Sequence, residues 1–204
     1  MSDIMSNNGS AVVAMNGKNC VAIGSDLSFQ VERQHIGRIF KVYQITDKIL
    51  LGLTGLLSDC VSFYQLVRYH IAHLKLTEGR TIQPKSFIHM VSFLLYSKRW
   101  QPYFVEVVIA GLDEDGKPYI SSSDTVGSMT EPEDFVVGGT ATQSLLGAAE
   151  CFWEKDMDSE ALFEATSQTL LSGIDRDSYS GWGAVTYILT PEKLITRYLR
   201  SRQD

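Results

Sequence analysis

Apolar and small residues fill positions 11–15 and 20–25, two short β-rich runs, and the Asn16-Gly17 step between them is a hairpin signal, so the two are expected to pair. Residues 36–45 and 48–54 read as two more strands around a turn at Thr46-Asp47. From Leu57 the period changes. Val61, Tyr64, Val67, Ile71 and Leu74 recur at helical spacing until Glu78-Gly79 supplies a stop. Pro84 suits a first helical turn, and Ile88, Val91, Leu94 and Leu95 mark the buried stripe of a second helix ending before Pro102. Strands return at 103–112 and 117–123 around Asp113-Glu114-Asp115-Gly116. Two helices follow, at 141–153 and 159–174, the second capped by Asp158, with Leu162, Ala165, Thr169 and Leu170 on one side. Strands at 183–189 and 194–200 close the chain around Thr190-Pro191-Glu192-Lys193.

The block order is strands, helix pair, strands, helix pair, strands, which makes the fold α+β. A sheet with two apolar faces must cover both, so two stacked sheets between two helix pairs is one economical solution. At 204 residues and 44% hydrophobic, the chain is long enough for a full core, and residues 1–204 read as one domain. Its net charge of −6, with 18 Lys and Arg spread along the chain, offers no basic footprint for nucleic acid. No apolar run approaches a membrane span, and the first residues lack the pattern of a signal peptide, so no membrane partner is expected. Cys20, Cys60 and Cys151 are far apart and odd in number, and read as core residues in a reducing compartment. Asn8-Gly9-Ser10 matches a glycosylation sequon by chance, since nothing points to secretion.

Three stretches carry a family likeness: the opening hairpin NGSAVVAMNGKNCVAIGSD, the strand-to-helix junction LLGLTGLLSDC, and DRDSYSGWG near the C-terminus. Together they resemble the beta-type subunits of the 20S proteasome, within the N-terminal nucleophile hydrolases. The likeness covers nearly the whole chain, and KVYQITDKILLGLTGL, VIAGLDEDGKPYISSSD, DFVVGGTA and GWGAVTYIL are most similar to the type-3 branch. The resemblance implies a four-layer αββα sandwich, with two antiparallel sheets between two helix pairs. It also implies assembly into rings, with beta type-2 and type-4 neighbours, alpha-ring subunits and an opposing beta ring as partners. The expected setting is the cytoplasm and nucleus, in ubiquitin-linked protein degradation, and no cofactor is implied.

Catalysis in that family needs a side-chain hydroxyl on the first residue of the mature chain and that residue's free α-amine as base. An amide nitrogen cannot serve, because its lone pair is delocalised into the carbonyl. By resemblance the nucleophile position falls at Ser10, after Gly9, and the supporting positions at Asp26, Lys41, Gly55, Asp177 and Ser180. The departures are also specific. A supporting serine becomes Gly139, a glycine becomes Trp182, and the run Asp-Ser-Arg-Ala-Thr becomes Asp26-Leu27-Ser28-Phe29-Gln30, so a closed substrate channel is expected. Nine residues precede Ser10, fewer than the cleavable leaders of active relatives, and residues 1–9 are expected to be retained.

Each position also has a plain structural role. Asp26 and Lys41 can persist as a buried ion pair, and Asp177 with Ser180 can pin a turn. His70 and His73 have metal-binding spacing but no third ligand nearby, so no metal is expected. The expectation is therefore a structural, non-catalytic beta subunit, with Ser122 and Asp124 beside the active site of the type-2 neighbour. The alternatives are a self-processed serine-type peptidase using Ser10 and a monomeric α+β binding module.

Overall fold

Every residue of strand β1 (Ala11–Asn16) is buried, yet its side chains go two ways: Ala11, Val13 and Met15 into one apolar cluster, Val12 and Ala14 into another. Strand β6 (Ile49–Gly55) does the same, sending Ile49, Leu51 and Leu53 to a third cluster and Leu50 back to the one that holds Val12. Period-two alternation in strands covered on both faces thus divides the core into three slabs. The computed structural model describes residues 4–31 and 34–201.

The first sheet contains, in spatial order, β10 (Phe135–Gly139), β1, β2 (Val21–Asp26), β11 (Ala184–Leu189) and β12 (Leu194–Leu199). The second contains β5 (Val42–Thr46), β6, β7 (Val105–Leu112), β8 (Pro118–Ser123) and β9 (Met129–Thr130). All pairings are antiparallel. Helices α1 (Leu57–Glu78) and α2 (Pro84–Tyr96) cover the second sheet through Phe63, Val67, Phe87 and Val91. Helices α3 (Thr142–Phe152) and α4 (Ser159–Ile174) cover the first through Leu145, Leu162 and Leu170. Between the sheets lie Val12, Ile23, Leu50, Val108 and Ile120. This is the expected four-layer sandwich. Phe63 and Phe87 are fully buried, and truncating either to alanine costs about 3–5 kcal/mol.

The element ends follow local chemistry. α1 stops at Gly79 in a left-handed conformation (φ 65°), and the Asp158 side chain accepts from Ala161 N at 2.8 Å to start α4. Residues 36–45 are not one strand. They divide between β4 (Gln34–Arg38) and β5, and β4 pairs with a strand the pattern did not reveal, β3 (Ser28–Val31), in a separate ribbon. The first hairpin pairs as expected, but through residues 17–20, with Gly17 N donating to Cys20 O and Asn19 left-handed. Cys20 and Cys60 are buried, whereas Cys151 is exposed on α3, contrary to its reading as a core residue. No helix among the described residues is long and apolar enough to cross a membrane.

Candidate functional site

The ends of five strands from both sheets converge at Ser10. It precedes β1, which pairs through Ala11 with Gly139 at the end of β10, and Asp26 ends β2. Gly55 ends β6, and Lys41 precedes β5. Strand register therefore gathers residues that are far apart in sequence.

Asp26 is fully buried, and both its oxygens are occupied. Oδ1 accepts from Lys41 Nζ at 2.5 Å and Ala11 N at 2.9 Å, and Oδ2 accepts from Ser28 N at 3.2 Å and Gly181 N at 3.3 Å. Burial pushes the carboxyl above its ordinary range, opposed by the Lys41 ammonium and the amides of Ala11 and Gly181. All four partners are donors, so a proton on Asp26 would find no acceptor among them. Lys41, 7% exposed, is thus committed to Asp26.

Ser10 is 3% exposed, and its Oγ has no hydrogen-bond partner among the described residues. Its backbone nitrogen donates to Thr140 Oγ1 at 3.2 Å, while Thr140 N donates to Ser10 O at 2.8 Å. Thr140 Oγ1 lies 2.6 Å from Asp177 Oδ2, which also accepts from Ser180 Oγ at 2.8 Å. Asp177 Oδ1 accepts from Tyr179 N at 3.1 Å, so Asp177 and Ser180 pin their own turn, and Thr140 links that turn to Ser10.

The substituted positions explain themselves sterically. A Cβ on Gly139, at φ +98°, would lie 2.7 Å from Ser10 Oγ and 2.3 Å from Ser10 O, leaving no space for a serine. Trp182 holds a left-handed φ of 57°, a backbone that favours glycine, and its ring stacks on His35 at 3.8 Å. Phe29, Lys41, Tyr43 and Gly55 line a pocket beside Ser10 of only about 20 Å³, too small for a substrate side chain. A larger hollow of about 440 Å³ lies between Met5, Gly55, Glu106 and Asp177.

Three contributors have no signature in the sequence. Asn8 Oδ1 accepts from Leu57 N at 2.9 Å and starts α1, whose own N-cap residue, Leu56, offers no side-chain acceptor. Glu106 Oε2 accepts from Gly139 N at 3.1 Å, and Thr140 ties Ser10 to Asp177. Cap residues are found by their adjacency to a helix, and Asn8 is remote in sequence from the one it caps. Ser122 and Asp124 lie elsewhere, on β8 and the turn after it. Ser122 Oγ is 2.8 Å from Thr130 Oγ1, and Asp124 Oδ1 accepts from Val126 N and Ser128 N. Among the described residues no group of three or more His, Cys, Asp or Glu could hold a metal ion.

The family model described as proteasome subunit matches residues 6–189. Proteasome subunit beta type-3 of Picea mariana is 48% identical over 198 residues, covering 97% of either chain. The probable proteasome subunit beta type-3 of Schizosaccharomyces pombe is 46% identical over 98% of this chain and 99% of its own. The Saccharomyces cerevisiae beta type-3 subunit is 43% identical over the full length of both.

Proposed function

The chain belongs to the proteasome subunit family, and from that premise we propose that it is a non-catalytic, structural beta subunit of the 20S core particle. Its work is to build the beta ring, contacting type-2 and type-4 beta neighbours, alpha-ring subunits and the opposing beta ring, in the ubiquitin-linked degradation of proteins of the cytoplasm and nucleus.

One observation carries the non-catalytic reading. Ser10 is 3% exposed beside a pocket of about 20 Å³, and its Oγ has no hydrogen-bond partner, and so no base, among the described residues. A buried hydroxyl without a neighbouring base is a poor nucleophile. Gly9 needs no processing role to account for it. At φ +62° its Cβ would lie 1.8 Å from Tyr179 O, so only glycine fits. Asp26 and Lys41 likewise sustain each other as a buried pair.

The surface suits assembly. Phe93, Tyr96 and Trp100, on α2 and just beyond it, are 72%, 62% and 89% exposed, apolar area of the kind buried in ring interfaces. A monomeric binding module would leave that area in water.

Intact mass of the chain taken from purified core particles, after treatment with an electrophile directed at N-terminal nucleophiles, tests the reading. The expected result is a chain that still carries the residues before Ser10 and no adduct. A chain beginning at Ser10 with the electrophile on its oxygen would establish the self-processed serine peptidase instead. Size-exclusion of native material checks assembly: co-migration with a very large particle is expected.

A further inference from the structure

We propose that the far end of the sandwich, at the last residue of β1, is a binding site for a small organic cation of the alkylguanidinium class. The length of β1 separates it from the Ser10 cluster, and the inference does not rest on the non-catalytic reading.

Asn16 ends β1 on the face that Val12 and Ala14 turn toward the second sheet. There a pocket of about 380 Å³ opens between the Asn16-Gly17 step, the start of β8, the segment before β10 and the turn after α3. That volume falls in the range of small-ligand sites, about 300–1,000 Å³. Asn16 is 9% exposed, and its Oδ1 has no hydrogen-bond partner among the described residues. The amide cannot turn over to relieve this, because Nδ2 donates to Glu133 O at 3.2 Å and turning would set two carbonyl oxygens against each other. The main-chain oxygen of Asn16 accepts from Trp153 Nε1 at 2.9 Å, which fixes the indole beside it. A buried acceptor held in place and unpaired calls for a donor that the described residues do not supply.

The walls decide what kind of donor. Glu131, Glu133 and Asp156 line the pocket as exposed carboxylates with no ion pair among the described residues. Lys117 and Lys155 line it too, so three negative charges face two positive ones. The Lys117 ammonium sits 5.4 Å from the centre of the Tyr119 ring, which leaves Lys155 as the cation without an aromatic partner. An anion would therefore meet three carboxylates and an orphan acceptor. A guanidinium matches the set: its coplanar N–H groups reach Oδ1 and a carboxylate together while its flat face lies against an indole.

The test uses purified core particles that contain this chain and an alkylguanidinium probe bearing an aryl azide. After photolysis, adducts on this chain are mapped by mass spectrometry. The probe should label residues 16–17, 117–120, 131–133 and 153–156 about tenfold more than a matched neutral alkylamide probe, and agmatine should compete. A double variant, Glu131→Gln with Glu133→Gln, keeps the Glu133 carbonyl that holds Asn16 and should lower labelling about fivefold at low salt. Equal labelling by the two probes would overturn the proposal, as would unchanged labelling in the double variant. If that variant does not assemble, the comparison of probes on the natural chain decides. No labelling at these residues, the result if a neighbouring subunit's own side chain fills the pocket, would overturn the site as well.

Discussion

Lys41 Nζ lies 2.5 Å from Asp26 Oδ1 with both side chains buried, and this pair joins the strand that follows Ser10 to the second sheet. Lys41→Met leaves the carboxylate without its counter-ion, a change that costs about 3–5 kcal/mol. Asp26→Asn should be nearly as harmful although it keeps the size, because its Nδ2 must face two donors wherever it points. Competition between tagged wild-type and variant chains for incorporation into core particles measures both. Near-exclusion of each variant is expected; equal incorporation would show that the pair is dispensable.

Gly9→Ala separates sterics from processing. A Cβ there meets the Tyr179 carbonyl at 1.8 Å on a left-handed backbone, whereas a Cβ on Gly37 meets nothing within 4 Å. Gly9→Ala should therefore be lost from assembled particles, and Gly37→Ala should be neutral to within about 0.5 kcal/mol. If the glycine served only as a cleavage signal, Gly9→Ala would assemble normally.

The long helices and the hairpin turns were legible because their signals are local: Gly79 after α1, Pro84 opening α2, Asp158 capping α4. The β3–β4 ribbon was not, since Gln34–Arg38 is mostly exposed and lacks an apolar rhythm, and β10 was passed over between turn residues. At the site, the family likeness led to Asp26, Lys41, Gly55, Asp177 and Ser180, and the fold brings the ends that bear them around Ser10. Asn8, Glu106 and Thr140 were missed for one physical reason: each acts on a partner distant in sequence, and only strand register brings them together.

Burial pushes the Cys60 thiol up to about 12, and burial together with the charge of Asp158 pushes Cys20 up to about 11. Both remain thiols in the folded chain at pH values where an unfolded cysteine, at 9.0, has ionised. The folded state then holds more protons. Its extra stability is fully present below pH 9 and is lost as pH rises toward 11 for Cys20 and 12 for Cys60, by about 1.4 kcal/mol per unit for each thiol. A maleimide at pH 8 should modify exposed Cys151 and leave Cys20 and Cys60 until the chain unfolds. Mass spectrometry of native and denatured samples counts the adducts; rapid modification of Cys60 in the native sample would contradict its burial.

We propose that Asp124 adds negative charge to the substrate cleft of the type-2 neighbour, and the turn it caps shows how to isolate that charge. Its Oδ1 accepts from Val126 N at 2.9 Å and Ser128 N at 2.8 Å. Asparagine keeps that oxygen, so Asp124→Asn removes the charge while the turn persists, whereas Asp124→Ala would lose both. An exposed carboxylate near a cationic substrate contributes about 0.5 kcal/mol, screened by salt. Core particles with Asp124→Asn should then show about a twofold higher KM for cleavage after basic residues at low salt, a difference that fades as salt is raised. Cleavage after acidic residues should not change. Identical kinetics for wild type and variant at low salt would leave Asp124 with its turn alone.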